Sequence, residues 1–312
     1  MRMGDGVRGK VVFLDAHDAL NGVKPLEESP VCRPANQRAA ADDPGAATLC
    51  EIRTLDTVED LIESYRLRYE VYEALGYVQR LNKSKLEIDE YDSLSVPFGA
   101  FDSMSGRMIG TLRLITNETQ PGYERLMRRA VAELADDELA GQVSGSRPFL
   151  LPSIISQDVN RQIVAFNTER FALQELSRTI VRPSHRGSGI SRGLMEFGLA
   201  HAARFTPAVL VGGCLTEHLP MYARYGYERL PQTSLAHFYG VGQIANVVVC
   251  RTDMLPYPTR SHVDELLRCM RSGATECMLE IGRGSCALYR LAAPRRARRR
   301  GGYFTSPPDS RP

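Results

Sequence analysis

Three features that would each indicate a class of protein are missing from this 312-residue sequence. Its seven cysteines form no C-x-x-C pair, which indicates neither a disulfide framework nor a zinc knuckle, so we expect reduced thiols and no metal site. No apolar run is long enough to cross a bilayer, and aspartates interrupt the N-terminal segment where a secretory signal needs an apolar stretch. We therefore expect a cytoplasmic protein without a transmembrane segment.

The composition is that of a globular protein, with 43% hydrophobic and 24% charged residues. The formal net charge is +2, but five arginines form one run in the tail, and without them the rest of the chain carries −3. We expect a solvated tail and no nucleic-acid partner. The predicted divisions are a flexible N-terminal arm (1–46), one domain (47–258), an extension with one helix (259–292) and a disordered Arg-rich tail (293–312).

Apolar periodicity in the domain predicts helices and strands in mixed order. Thr57, followed by Asp60, resembles a capping box and begins a helix over 58–75. A β-hairpin is predicted next, over 95–115. The later strands and helices are predicted over 174–181, 188–205, 208–215, 217–226 and 245–255.

Three arginines are predicted to point into the interior of the domain. Arg68 lies on the apolar stripe of its helix, and Arg113 lies on an inward face of the hairpin. Period-2 alternation places Arg178 on the same strand face as Leu176 and Ile180. Because an unpaired interior charge is strongly unfavourable, each arginine needs a carboxylate partner.

The stretch LEIDEYD, residues 86–92, is the dense source of carboxylates upstream of these strands. We expect Glu87, Asp89 and Asp92 to pair with the three arginines around a cleft, and Glu90 to be solvated. Carboxylates and guanidinium groups of this set that stay unpaired would bind the amino and carboxylate groups of an amino acid acceptor. The alternative is a salt-bridge cluster that only orders the fold.

The segment from residue 177 to 226 contains RGSGISRGLME, LVGGCL and MYARYGYER in this order. A glycine loop between a strand and a helix presents backbone N–H groups to a phosphate. The three motifs resemble the acyl-CoA-binding core of the GNAT acyltransferase superfamily. The resemblance implies an α/β (α+β) fold with a mixed, mostly antiparallel central sheet, splayed central strands and flanking helices. It assigns to the acyl-donor site Arg182, Arg186, Gly187, Ser188 and Gly189.

The segments LRYEVYEALGY, LEIDEYD, IGTLRLI and ELSR resemble a GNAT-fold branch over roughly residues 61 to 250: the acyl-homoserine-lactone synthases and the long-chain N-acyl amino acid synthases. The resemblance implies that Glu175 takes a proton from the acceptor amine and that Tyr222 is the general acid for the leaving thiolate. A Glu175 that only pairs with an arginine, and a Tyr222 that only packs, are the alternatives. The positions implied for acceptor binding are Arg68, Tyr72, Glu87, Asp89, Asp92, Arg113, Ser177 and Arg178.

Two features favour the amino acid synthases over the lactone synthases. The chain has no Trp, and Tyr77 stands where lactone synthases usually carry one; the long arm and the extension are also unlike them. Ser184 stands where the GNAT loop usually begins with Gln or Arg, which favours a donor held partly by a carrier protein. Cys214 ends a predicted buried strand, where a cysteine is more often core than nucleophile.

The sequence thus predicts an enzyme, an N-acyltransferase that moves a fatty acyl group from an acyl carrier protein (or coenzyme A) thioester to the α-amino group of an amino acid. We expect no permanently bound cofactor, because the acyl-phosphopantetheine thioester is a co-substrate. The expected partners are acyl carrier protein and a small-molecule amine. Two alternatives stay open: an acyl-homoserine-lactone (autoinducer) synthase that uses S-adenosylmethionine, and a non-catalytic acyl-thioester-binding regulatory protein.

Overall fold

The structure, a computed structural model, describes residues 48–77, 82–116, 121–134, 171–230, 236–237, 244–273, 276–281 and 288–290. The helices are α1 (Val58–Ala74), α2 (Pro121–Leu134), α3 (Ile190–Ala202), α4 (Leu219–Ala223) and α5 (Thr259–Arg271). The strands are β1 (Thr48–Thr54), β2 (Ser95–Asp102), β3 (Met108–Ile115), β4 (Ala172–Val181), β5 (Ala208–Cys214), β6 (Glu228–Arg229), β7 (Ala236–His237), β8 (Ile244–Arg251), β9 (Glu276–Ile281) and β10 (Leu288–Arg290). The predicted arm over 1–46 and the tail over 293–312 lie outside the described residues.

The strands lie in the order β10-β9-β1-β2-β3-β4-β5-β8-β6, and β7 pairs with β8. Among the described strands, neighbours are antiparallel except β4 and β5, which are parallel. The β4–β5 pairing ends at Glu175 and Val211, although both strands continue beyond these residues. The expected α/β fold, with a mixed, mostly antiparallel sheet and splayed central strands, is confirmed.

A β-bulge in β4 determines where Arg178 points. Between two successive pairs with β3, β4 carries one residue more than its partner, and Arg178 has a φ of +56°. A non-glycine residue in this left-handed region is typical of a bulge that redirects a side chain. The extra residue breaks the alternation, so Leu176 packs in the cluster that contains α3 and Ile180 packs in the cluster that contains α1. The prediction that all three side chains share one face is therefore wrong.

Helices α1, α2, α3 and α5 supply the core that holds these strands. A Cβ atom at Gly198 of α3 would lie 2.7 Å from Leu112 Cδ2 and 2.8 Å from Leu176 Cδ2, so the glycine lets the helix approach the sheet closely. Helix α5 adds Val263 and other apolar residues to this cluster. A second cluster joins α1 to α2 through residues such as Leu61.

The residues after 258 extend the same sheet. Strand β9 pairs antiparallel with β1, and β10 pairs with β9. The one helix predicted for this extension is α5, whereas its two strands were not predicted. Within the described part of the chain, we find no helix that is both long and apolar enough to span a membrane.

Candidate active site

The inward arginines and the acids of LEIDEYD bind one another directly. Arg68 of α1 donates from Nη1 and Nη2 to the two carboxylate oxygens of Asp92, at 2.7 and 3.1 Å, and from Nε to Glu87. Arg113 of β3 donates from Nη1 and Nη2 to the two oxygens of Asp89, at 2.6 and 2.9 Å. We call this set the charge network; its members are Arg68, Arg113, Arg178, Glu87, Asp89 and Asp92.

Arg178 closes the charge network from the bulge in β4. Its Nε donates to Glu87 at 3.0 Å, and its Nη2 donates to Asp89 at 2.9 Å. Ser177 Oγ, next to it, accepts from Arg113 Nε at 2.9 Å. The three arginine side chains are each only 2% exposed, and their charges are balanced by three carboxylates. Balanced charge and hydrogen bonding are what make buried ions tolerable.

The charges of the network shift each other's titration. Burial by itself raises the pKa of the Asp89 carboxyl, but Arg113 and Arg178 outweigh burial and hold that pKa well below its usual range. Burial likewise lowers the pKa of Arg113, and Asp89 and Asp92 outweigh it and raise that pKa well above its ordinary value. Asp89 and Arg113 are therefore both charged at neutral pH.

The acidic segment reaches this geometry because it begins a short 3-10 helix, Glu90–Leu94. Asp89 Oδ1 accepts from the backbone N–H of Tyr91, and Asp92 Oδ2 accepts from the backbone N–H of Asp89, both at 2.9 Å. These reciprocal bonds help to hold both carboxylates in the positions from which they pair with the arginines. Glu90, predicted to be solvated, is partly buried and is not a member of the charge network.

A cleft of about 510 Å³ is lined by residues of β4 and β5, the two strands that separate. We call it the central cleft. Helix α1 lines it with Val71 and Tyr72, Leu75 lines it directly after the helix, and β4 lines it with Ser177 and Arg178. The central cleft therefore adjoins the charge network, because Arg178 belongs to both.

The glycine loop also lines the central cleft. Gly187 and Gly189 have φ values of +77° and +89°, which other residues rarely adopt, and α3 begins at the next residue, Ile190. The first N–H groups of a helix have no partner inside it, and together with the helix dipole they attract an anion. Arg186, exposed beside them, lines the cleft as well. This part of the cleft is suited to a phosphate.

Two predicted donor residues lie away from the wall of the central cleft. Ser188 donates from Oγ to the carbonyl oxygen of His185 at 2.5 Å. Arg182 donates from Nε to the carbonyl oxygen of Met108 at 2.8 Å and pairs with Glu70 at 2.9 Å. Of the predicted donor residues, the cleft brings together Arg186, Gly187 and Gly189.

The two predicted catalytic residues differ in their access to the central cleft. Tyr222 lines it, with its ring 5.2 Å from that of Tyr227 in an edge-to-face contact. Burial, with smaller contributions from Cys214 and other neighbours, raises the pKa of the Tyr222 hydroxyl well above its ordinary value, so it is protonated at neutral pH. Glu175 is fully buried in β4 at the last pair with β5 and is not part of the cleft lining.

Tyr72 links the charge network to the central cleft, and sequence reasoning missed its apolar neighbours. The guanidinium carbon of Arg178 lies 5.6 Å from the centre of the Tyr72 ring, and burial raises the pKa of the Tyr72 hydroxyl. Val71 and Leu75, one helical turn apart, form an apolar wall of the cleft beside Tyr72. Their i, i+4 spacing was the available signal. Among the described residues, no group of three His, Cys, Asp or Glu is placed to hold a metal ion.

Comparison with curated protein sequences gave no match. Among solved structures, FeeM, an N-acyl amino acid synthase from uncultured soil microbes, is 16% identical, with 69% of this chain and 95% of that chain covered and a TM-score of 0.45. BjaI, a CoA-dependent acyl-homoserine lactone synthase with SAM and isopentyl-CoA, is 20% identical, with coverage of 73% and 90% and a TM-score of 0.39. The AHL synthase LasI is 16% identical, with coverage of 70% and 95% and a TM-score of 0.39.

The sequence model of one protein family, described as N-acyl amino acid synthase FeeM, matches residues 63–247. The match spans more than half of the chain and includes the charge network, the glycine loop and Tyr222. The chain therefore belongs to the FeeM family of N-acyl amino acid synthases, and it is an acyltransferase.

Proposed function

We propose that the protein transfers a fatty acyl group from the thioester of an acyl carrier protein, or of coenzyme A, to the α-amino group of an amino acid. The observation that carries the proposal is the lining of the central cleft. One cavity is lined by Arg186 and Gly187 of the glycine loop, by Ser177 and Arg178 beside the charge network, and by apolar residues such as Leu75. These groups would give one bound pair of substrates a phosphate site, an acyl site and a polar acceptor site.

The glycine loop supports the donor half of the proposal. The backbone N–H groups of residues 187–190 and the N-terminus of α3 would bind the phosphate of the phosphopantetheine arm. Val71, Leu75 and Leu176 offer the acyl chain an apolar wall, whose burial is favourable for each methylene group. The thioester carbonyl would then lie where β4 and β5 separate. Strand N–H groups freed by this separation would stabilise its oxyanion.

Arg178 supports the acceptor half. All three nitrogens of the Arg68 guanidinium donate to carboxylates of the network, and all three of Arg113 donate to Asp89 or to Ser177. Arg178 differs because its Nε and Nη2 are engaged by Glu87 and Asp89, whereas its Nη1 makes no hydrogen bond or ion pair with a described residue. This nitrogen would donate to the carboxylate of the acceptor, and the network would hold the guanidinium in place.

The reaction needs a neutral amine, because an α-amino group is mostly protonated at neutral pH. Glu175 would accept a proton from it through a water, since Glu175 does not line the cleft. The amine nitrogen then attacks the thioester carbonyl carbon; a C–N bond forms, the C–S bond breaks, and a second proton leaves the nitrogen and ends on sulfur, while the first passes from Glu175 to solvent. The pKa of the Tyr222 hydroxyl is raised, so this group holds its proton. Its role would be to donate a hydrogen bond to the departing sulfur, without transferring the proton completely.

The charge balance of the network favours an amino acid over S-adenosylmethionine as the acceptor. Three arginines and three carboxylates leave the network without net charge. A zwitterionic amino acid is also neutral, whereas S-adenosylmethionine carries an additional sulfonium charge that the network itself does not balance.

The proposal is tested by turnover with defined substrates. Purified full-length protein is given acyl carrier protein or coenzyme A thioesters together with single amino acids or S-adenosylmethionine, and thiol release and product mass are recorded. We expect an N-acyl amino acid and one free thiol for each product molecule. Methylthioadenosine among the products would show a lactone synthase instead, and no turnover with any donor would show a binding protein.

A further inference from the structure

A buried carboxylate lies between α3 and α5 and does not line the central cleft. The side chain of Glu196, on α3, is 0% exposed. Its Oε1 accepts from Arg192 Nε at 3.0 Å and lies 3.2 Å from Nδ1 of His262, on α5. Its Oε2 is also buried and has no hydrogen-bond partner among the described residues. Because a buried carboxylate is costly unless it is paired, the folded protein depends on these two contacts to compensate it.

The imidazole of His262 contacts both other members of this set through one nitrogen. Arg192 Nη2 lies 3.0 Å from His262 Nδ1, and a guanidinium can only donate, so Nδ1 accepts in this contact. The contact of the same nitrogen with Glu196 requires instead that Nδ1 carries a hydrogen. The ring can therefore make one bond or the other, according to where its hydrogen lies. Either bond connects α5 to α3.

Tyr225 lies near the same carboxylate but does not compensate it. Burial, and then the charge of Glu196, raise the pKa of the Tyr225 hydroxyl to about 12, so this group is neutral at neutral pH. The hydroxyl does not donate to Oε2 of Glu196, which has no partner in the described part of the chain. Arg192 and His262 are therefore the two partners that the described residues give to Glu196.

Arg192 also lies close in the chain to the glycine loop. It is in the first turn of α3, three residues after Gly189. Gly189 precedes the helix without a side-chain cap, and the N–H of Gly193 donates to its carbonyl oxygen at 3.0 Å. Glycine loses more conformational freedom on folding than other residues, so a loop of glycines needs support from its surroundings to hold one arrangement. The contact of Arg192 with His262 supports the turn that follows this loop.

Helix α5 lies beyond residues 63–247, which the family model matches, so membership of the family assigns it no role. It packs beside α3 through Val263 and other apolar residues. Apolar burial is not directional, whereas hydrogen bonds between charged groups add geometric specificity. The contact at Glu196 is therefore suited to setting where the first turn of α3 lies relative to α5.

We propose that Glu196 and His262 are positioning residues, which hold the first turn of α3 through Arg192 and so keep the glycine loop in the arrangement that binds the acyl donor. This inference rests on the donor site of the proposed function and goes further, because it gives the C-terminal extension a part in donor binding. Neither residue lines the central cleft, so neither touches the donor. The extension thus acts on KM for the donor and not on the chemical step.

Two variants of His262 separate its hydrogen bonds from the packing of its ring. His262→Leu fills the site and makes neither bond, whereas His262→Asn offers an acceptor and a donor near the position of Nδ1. In His262→Leu we expect KM for the dodecanoyl thioesters of coenzyme A and of acyl carrier protein to rise about three- to tenfold, the factor to which one lost hydrogen bond commonly corresponds. The kcat should not change, and His262→Asn should restore the lower KM. Ser261→Leu, exposed in the same turn of α5, is the matched control and should leave KM unchanged.

Amide hydrogen exchange of the same full-length proteins, without substrates, tests the positioning by itself. We expect His262→Leu to speed exchange in residues 187–191 by a factor similar to the rise in KM. His262→Asn and Ser261→Leu should exchange like the unaltered protein. A thermal melt of each variant checks the fold.

Unchanged exchange of residues 187–191 in His262→Leu would overturn the proposal, whatever reaction the protein catalyses. Faster exchange with an unchanged KM for the donor would overturn it too. Equal effects of His262→Leu and His262→Asn would assign the change to packing of the ring, and an equal rise in KM for the amino acid would show a general loss of structure; both results count against positioning. If the unaltered protein turned over neither thioester, the proposed function would fail, and hydrogen exchange alone would decide the positioning role.

Discussion

The charge network and the glycine loop both contain arginines, but the two regions hold them in opposite ways. In the network, Arg113 is 2% exposed and each of its nitrogens has a partner. On the loop, Arg186 is exposed, and its Nε reaches the carbonyl oxygen of Val181 at 3.4 Å. Arg68 and Arg113 are committed to other side chains, whereas the loop arginine is available to a ligand.

This contrast separates two kinds of consequence. Breaking a buried, hydrogen-bonded ion pair by removing one partner costs about 3–5 kcal/mol, because the other charge stays buried. An exposed charge contributes about 0–1 kcal/mol. Variants in the network should therefore act first on the free energy of unfolding, and variants on the loop should act on KM.

The largest effect is expected from Arg113→Met. The substitution leaves Asp89 without its bidentate partner and Asp92 with one partner fewer, so we expect a loss of about 3–5 kcal/mol in the free energy of unfolding. Urea denaturation followed by circular dichroism measures it. Arg186→Gln is the control and should lose less than about 1 kcal/mol while raising KM for the donor. A similarly small loss in Arg113→Met would mean that water compensates the two carboxylates.

Glu175→Gln sharpens the comparison, because Glu175 is as buried as the network but has a proposed chemical role. Glutamine keeps the shape and cannot accept a proton, so we expect the rate of acyl transfer to fall by about 10²–10⁴-fold. The free energy of unfolding should change far less than it does in Arg113→Met. Steady-state turnover and urea denaturation of the same preparation give the two numbers, and an unchanged rate would remove Glu175 from the mechanism.

Much of the charge network could be predicted from the sequence, because an arginine on an apolar stripe needs an acid. Helix periodicity placed Arg68 correctly, and LEIDEYD supplied the acids that the structure pairs with it. The bulge at Arg178 could not be predicted. No glycine marks it, and its positive φ is imposed by neighbouring strands and by the ion pairs that the side chain makes.

The central cleft was predictable only in part. The glycine loop and Tyr222 lie on motifs, so the sequence located them. The positions of Ser188 and Arg182 depend on single side-chain bonds, to the His185 and Met108 carbonyl oxygens, which no spacing specifies. Strands β9 and β10 were missed because their pairing with β1 joins residues far apart in the sequence. The roles assigned to acceptor and donor residues stay predictions.

Low pH is expected to have a smaller effect on the free energy of unfolding. This effect also distinguishes buried from exposed charges. The pKa of Asp89 is lowered in the folded protein, so its stabilisation is complete above the unfolded value of about 4 and is lost as pH falls below it. Unfolding free energies measured at a series of pH values should therefore decline below about pH 4. The decline should be shallower in Asp89→Asn.

Asp102→Asn is the matched control for the acid experiment. The pKa of Asp102 is also lowered, mainly by the backbone N–H of Ser105, but this carboxyl lies in a hairpin turn outside the network. Its substitution should change the pH dependence less than that of Asp89, because an exposed charge is screened by solvent. Equal changes in the two variants would mean that the arginines of the network contribute nothing specific to the acid response.

The smallest effect is expected at Cys214, which lines the central cleft but has no assigned role. Burial, with a smaller contribution from Glu217, raises the pKa of the Cys214 thiol to about 11, so the reactive thiolate is scarce at neutral pH. Cys214→Ser should therefore keep the rate of acyl transfer within about threefold of the unaltered protein, since the amine attacks the donor thioester directly. Mass spectrometry of protein quenched during turnover checks the same point. An acyl group on Cys214, together with a rate loss near that of Glu175→Gln, would replace direct transfer by a route through an acyl-enzyme.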